Sequence, residues 1–223
     1  MNHVLAIDTS TDFAGIAVSY GSNVVELRWS AGRDQTTSVL EQIDHCLKLA
    51  GITVSDLAAI AVAIGPGMFN ALRVGASIAK GLAIAGNVPL IGVSTLELAA
   101  APWHGLDRDV IAVVSAGRGR VVWQRFVAAP PYSATNEAQN MTLDGLIDAL
   151  AIESGLLAVG EISPALANVL AGQGVIVRAA EVGGRRPALL AELGLRRLEL
   201  GEIDDLATLE PVYLHGQPVP VAE

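Results

Sequence analysis

The chain has 223 residues, enough for one large domain or two small ones, and 52% of them are apolar, so a substantial core can be buried. Its longest charge-free stretches, Leu57 to Leu72 and Gly81 to Leu96, are broken at Gly65-Pro66-Gly67 and Gly86-Asn87-Val88-Pro89, and neither offers the roughly 20 unbroken apolar residues of a membrane span. A net charge of −9 argues against stand-alone nucleic-acid binding, because Lys and Arg must neutralise phosphates; any RNA contact needs a basic surface on another subunit.

Met1-Asn2-His3 lacks a basic leader and Asp8 interrupts the first apolar run, so no signal peptide is expected and the predicted location is the cytoplasm. Val4 to Ile7 reads as a strand entering Asp8-Thr9-Ser10-Thr11, and Ala14 to Tyr20 and Val24 to Ser30 complete a meander. An acid and hydroxyls at such a tip suit ordinary turn chemistry or a metal–phosphate group. Val39, Leu40, Ile43, Leu47 and Ala50 mark a helix over about Thr37 to Leu49, capped by Thr36 or Thr37 and stopped by Gly51. Cys46 has no thiol partner and reads as a small core residue.

Ala58 to Ile64 is a short apolar run, consistent with a central strand covered on both faces. Gly65-Pro66-Gly67 ends it, Asn70 is the expected N-cap of a helix from about Ala71 to Ala85, and Gly86 closes that helix. Gly75, Ala79 and Ala83 share one stripe, open either to the chain's own sheet or to a subunit. A helix N-terminus after a glycine turn can hold an anion, but the Gly-Lys-Ser/Thr ending of a phosphate loop is missing. Pro89 to Val93 is a further strand, and Ser94 to about Ala101 a further helix.

Pro102-Trp103-His104-Gly105 is the predicted domain boundary. Beyond it come strand Val110 to Ser115, a turn at Ala116 to Gly119, strand Arg120 to Ala128, a loop Ala129 to Asn140, helix Leu143 to Ile152, strand Leu156 to Val159, helix Pro164 to Leu170, strand Val175 to Val177 and helix Pro187 to Leu200. Two runs of strands, helix, strand, helix predict a duplicated α/β fold with mixed sheets. The expected division is a first lobe over 1–103, a second over 104–205 and an extended tail over 206–223. His3, His45, His104 and His215 are scattered, and there is no His-Glu-x-x-His, Cys-x-x-Cys or Gly-x-Ser-x-Gly pattern, so self-contained hydrolase chemistry has little support.

Val4-Leu5-Ala6-Ile7-Asp8-Thr9-Ser10, Gly65-Pro66-Gly67-x-Phe69-x-x-Leu72-Arg73-x-Gly75, Lys80-Gly81-Leu82-Ala83, Ile91 to Leu96 and Glu210-Pro211-Val212-Tyr213-Leu214 stand in an order and spacing that resembles the TsaB (YeaZ-like) family, dense over residues 4–100 and thin over 101–205. That family belongs to the bacterial machinery for threonylcarbamoyladenosine on tRNA. The resemblance implies a duplicated actin/Hsp70-like, ribonuclease H-like fold, and a non-catalytic subunit that activates a TsaD-type catalytic paralogue. It also implies a TsaE-type ATPase as further partner, a homodimer when alone, and tRNA met only through the complex. Cofactors follow the same implication: none bound tightly here, with ATP and metal on the partner subunits. The partner surface it points to lies on the first lobe's helices, at Val39, Ile43, Leu47, Met68, Phe69, Leu72, Arg73, Gly75, Ala76 and Ala79. Asp8, Thr9, Ser10, Gly65 and Gly67 would form a vestigial nucleotide loop; no residue is assigned a catalytic role or a metal.

Several positions depart from the family pattern. Met68, Asn70 and Ala71 stand where Ser, Thr and Gly are usual, Gln35 near a common His, and Val114-Ser115-Ala116-Gly117 for Ile-Asp-Ala-Arg. With Asp8 as the one hairpin acid, magnesium would be held mostly by water and phosphate, so weak nucleotide binding and negligible turnover are expected. Arg73 could meet an acid of the partner or stay solvated. The competing reading is an actin-like ATPase or phosphotransferase working by itself; a stand-alone peptidase lacks a nucleophile–base pair.

Overall fold

A computed structural model describes residues 2–31, 35–130, 132–150, 155–180 and 184–214, with residues 35 and 36 described by their backbone alone. The chain forms two compact units, Met1–Leu98 with Val182–Val212, and Ala99–Glu181 with Tyr213–Glu223. The first holds strands β1 (His3–Asp8), β2 (Phe13–Tyr20), β3 (Asn23–Ser30), β4 (Leu57–Gly65) and β5 (Leu90–Ser94), with helices α1 (Gln35–Ala50), α2 (Phe69–Gly86) and α3 (Thr95–Ala100). The second holds β6 (Val110–Gly117), β7 (Arg120–Phe126), β8 (Gln139–Thr142), β9 (Leu157–Gly160) and β10 (Ile176–Ala179), with α4 (Leu143–Leu150) and α5 (Pro164–Gly172). Helix α6 (Pro187–Leu200) follows and returns to the first unit.

The two sheets run β3-β2-β1-β4-β5 and β10-β9-β6-β7-β8. Read from the meander outward, both have the order third, second, first, fourth, fifth, with the first strand antiparallel to the second and parallel to the fourth. The expected duplicated α/β fold with mixed sheets is the one observed.

Side-chain size decides which helix covers which face of the first sheet. Leu5, Ile7, Ile16, Ile60 and Val62 point into a core shared with α1 and α2, whereas Val4, Ala6, Ala17, Ala59, Ala61 and Ala63 form an alanine-rich face under α6. Small residues let the helix axis approach closely: a Cβ at Gly194 would come within 2.5 Å of the Ala61 Cβ, and one at Gly15 within 2.4 Å of the Pro187 Cγ. Arg197 fastens the far end of α6, bonding the Gly92 carbonyl and pairing with Glu97 at 2.5 Å. Burial nevertheless raises the Glu97 carboxyl above its ordinary range, outweighing Arg197.

Four expectations are corrected by these contacts. Helix α6 belongs to the first unit, not to a second lobe over 104–205, because the alanine face is built to receive it. Residues 206–212 are not an extended tail: Leu209 is buried in the first core and the Val212 N–H donates to the Ile64 carbonyl at 2.8 Å. The expected loop 129–140 ends in the short strand β8, which pairs with β7. Helix α1 already begins at Gln35, so Thr37 is an internal residue and no cap; the side chains of Gln35 and Thr36 lie outside the described residues. In the second unit, Leu146, Leu150, Leu166 and Leu170 from α4 and α5 cover one face of the sheet.

Cys46 is fully buried in the first core, and loss of solvation raises its thiol from 9.0 to about 11. The folded chain then holds one more proton than the unfolded chain between those values. The thiol's contribution to stability is therefore complete below pH 9 and is lost as pH climbs toward 11. Native protein at neutral pH is expected to resist a thiol-specific disulfide reagent and to react fully in urea; rapid native labelling would contradict the buried placement.

Candidate functional site

The strand-end loop and the glycine turn meet as one structure. Asp8, Thr9, Ser10 and Thr11 are all buried. Ser10 donates to Asp8 Oδ1 through its backbone N–H at 2.9 Å and its hydroxyl at 2.5 Å. The Ser10 carbonyl accepts the Met68 N–H at 2.8 Å, and Thr9 Oγ1 donates to the Ala71 carbonyl at 2.6 Å, so the loop is fastened to the first turn of α2. Gly67 and Gly75 are required by this approach, since an added Cβ would meet the Ser10 carbonyl oxygen at 2.5 Å and Thr9 Oγ1 at 2.4 Å. Thr95, itself fully buried, donates to the Pro66 carbonyl at 2.6 Å, beyond a cis Gly65–Pro66 peptide.

Helix α2 starts two residues before the expected Ala71. Its N-cap is Met68, without a side-chain cap bond, so Asn70 is not the cap and sits exposed in the first turn. The C-terminal end matches a Gly-Asn stop, with Asn87 in the left-handed region at φ 51°.

Asp8 has a partner that the sequence reading missed. Arg185, just ahead of α6, lies with its Nε 3.3 Å from Asp8 Oδ2 and its Nη2 2.7 Å from Ser10 Oγ; the side chains of the pair are 6% and 9% exposed. An Arg-Arg doublet immediately before a helix-starting proline, in a strongly acidic chain, was the available signal. At the corresponding hairpin of the second unit, Ser115 stands where an acid was sought, but a carboxylate is present: Glu161, after β9, accepts the Ser115 N–H at 3.0 Å. The second hairpin itself carries no such acid, as expected; the carboxylate beside it is brought by the residue that follows β9. No three His, Cys, Asp or Glu residues come together as a metal-holding group among the described residues.

The ten residues named for a partner surface separate into two sets. Val39, Ile43, Leu47, Leu72, Gly75, Ala76 and Ala79 are buried within the unit itself. They are unavailable to a partner, because the small-residue stripe is what lets α2 lie close against its own sheet and loop. Met68 and Phe69 remain outward at 47% and 49% exposure, with the Arg73 guanidinium 4.0 Å over the Phe69 ring. Asn70, Ser77, Gly81 and Ile84 continue the outward face of α2, while Leu40 and Leu49 are exposed on α1. Spacing of Phe69, Arg73, Ser77 and Gly81 at four-residue steps was the signal for this face.

The chain matches the family described as TsaD: tRNA N6-adenosine threonylcarbamoyltransferase over residues 30–144, just over half of its length. It belongs to this TsaD family. It is similar to proteins named tRNA threonylcarbamoyladenosine biosynthesis protein TsaB: 35% identical to that of Escherichia coli over 126 residues, covering 55% of this chain and 54% of the relative. For Haemophilus influenzae the identity is 33% over 126 residues, covering 56% and 53%. The chain thus spans about half the length of the curated relatives it matches. Solved structures extend the likeness to the whole fold: YeaZ from Pseudomonas aeruginosa superposes with TM-score 0.77 at 21% identity, over 96% of this chain and all of that one. A second Pseudomonas aeruginosa structure, an uncharacterized protein with similarity to peptidase YeaZ, gives 0.81 with the same identity and coverage. In this member of the TsaD family, the residues that could receive a metal–phosphate group are engaged by Arg185 and by the start of α2. No helix among the described residues is long and apolar enough to cross a membrane.

Proposed function

We propose that this chain is a cytoplasmic, non-catalytic subunit in the synthesis of threonylcarbamoyladenosine on tRNA, and that it binds and activates a TsaD-type catalytic paralogue. The observation carrying this reading is the exposed apolar first turn of α2, Met68 and Phe69, on a body whose loop acid is neutralised from within. A large apolar group held outside on a rigid, close-packed helix is costly in water and suits a protein partner. The outer faces of α1 and α2 offer further apolar area at Leu40, Leu49 and Ile84, toward the roughly 800 Å² per partner of a stable contact. On this reading a second copy of the chain occupies the same surface when the partner is absent, a TsaE-type ATPase joins the assembled pair, and ATP, metal and tRNA are handled by those subunits.

Titration into a TsaD-type catalytic subunit, followed by light scattering during size exclusion, tests the association. One heteromeric species at micromolar concentration is expected. Two proteins eluting unchanged would reject the reading, and steady phosphate release from magnesium-ATP by this chain alone would favour an independent ATPase.

A further inference from the structure

We propose that Arg185 is a built-in counter-cation for the Asp8 loop, taking by ion pairing the place that a divalent cation would need there. Every residue involved belongs to the first unit, and the pairing is independent of whether a partner binds.

A carboxylate and two hydroxyls at a strand end, beside a glycine turn and a helix N-terminus, are donors suited to magnesium and a phosphate. Their engagements here do not fit such a group. Asp8 Oδ1 accepts two bonds from Ser10, Oδ2 faces Arg185 Nε at 3.3 Å, and Ser10 Oγ accepts from Arg185 Nη2 at 2.7 Å. Magnesium demands an octahedron of oxygens at about 2.0–2.1 Å, and a guanidinium against the same carboxylate repels it. On the helix side, Gly67 is so close to Ser10 that a methyl group would sit 2.5 Å from its carbonyl oxygen, and the Met68 N–H is directed to that carbonyl.

A buried carboxylate needs a compensating charge. Guanidinium supplies it with a planar fork that can reach two oxygens at once, here one on Asp8 and one on Ser10. Because Ser10 and Thr9 also fasten α2, the pair links the start of α6 to the end of β1 and the first turn of α2. The loop keeps its shape without metal.

Thermal unfolding in EDTA and in millimolar magnesium chloride tests this, using wild type, Arg185→Met, Arg185→Lys and the double variant Asp8→Asn with Arg185→Met. Wild type should unfold at the same temperature in both buffers. Arg185→Met should unfold about 10 °C lower and regain part of that loss in magnesium, which can now reach the freed carboxylate. The double variant should recover at least half of the loss and show no magnesium response, and Arg185→Lys should lie between wild type and Arg185→Met. A folded double variant beside an insoluble Arg185→Met would support the proposal equally. It is overturned if Arg185→Met unfolds like wild type, if magnesium raises wild type as much as it raises Arg185→Met, or if neutralising Asp8 rescues nothing, including the case in which both variants are insoluble.

Discussion

Replacing Phe69 with Glu is expected to weaken association with the catalytic partner by at least about 100-fold while leaving the fold intact. Phe69 is half exposed at the first turn of α2, with the Arg73 guanidinium over its ring. Buried aromatic anchors at the centre of an interface each contribute about 2–4 kcal/mol on truncation, which is about 30- to 1000-fold in Kd, and a carboxylate forced into the same apolar contact adds a desolvation cost. Stability should change by no more than about 1 kcal/mol, because the residue has few native contacts to lose and an exposed cation–π contact is worth only about 0.5–1 kcal/mol. Isothermal titration of the variant, with circular dichroism to verify folding, separates the outcomes. An unchanged Kd would remove the first turn of α2 from the interface.

Leu72→Ala should do the opposite. Leu72 lies one turn further along the helix, fully buried, and its Cδ1 sits where a Cβ on Gly65 would touch it at 3.0 Å. Truncation leaves a cavity between α2 and the strand end that the close-packed glycine turn cannot collapse to fill, so a loss of about 3 kcal/mol is expected. For a chain of this length that corresponds to a fall of about 10 °C in the thermal midpoint. At temperatures where the variant is folded, partner affinity should stay within about tenfold of wild type. A stable Leu72→Ala that no longer binds would mean the interface reaches the inner stripe and would reverse the assignment of the two faces.

The contrast between Phe69 and Leu72 also shows where sequence pattern stops being informative. Strand runs such as Val4 to Ile7 and Ala58 to Ile64, ending at acids or glycines, carry their period and their punctuation in the chain, and the meander, the glycine turn and the duplicated order are readable from them. Helix α2 carries Ala, Gly or an aliphatic residue on nearly every side, so apolar periodicity does not say which stripe faces the sheet. The decision is made by Thr9 and Ser10, which only the fold brings against the start and the Gly75 side of α2. Helix α6 is a similar case: its apolar stripe fits either sheet, and what selects the first is the alternation of alanines on three separate strands. Arg185 and Asp8 are 177 residues apart; the Arg-Arg doublet marks a cation ahead of α6, but only the fold says that Asp8 is its partner. Glu161 is equally silent, because its role depends on a parallel pairing of β9 with β6 that places it beside Ser115. Strand β8, four mostly polar residues at a sheet edge, has too little burial to leave an alternating pattern.

Reconstituted tRNA modification by the TsaD-type and TsaE-type partners, measured with and without this chain, is the most direct test of an accessory role. Wild type should raise the rate severalfold or more and Phe69→Glu should not, with no modification by this chain alone. A rate indifferent to its presence, or modification carried out by this chain without the catalytic partner, would contradict the account.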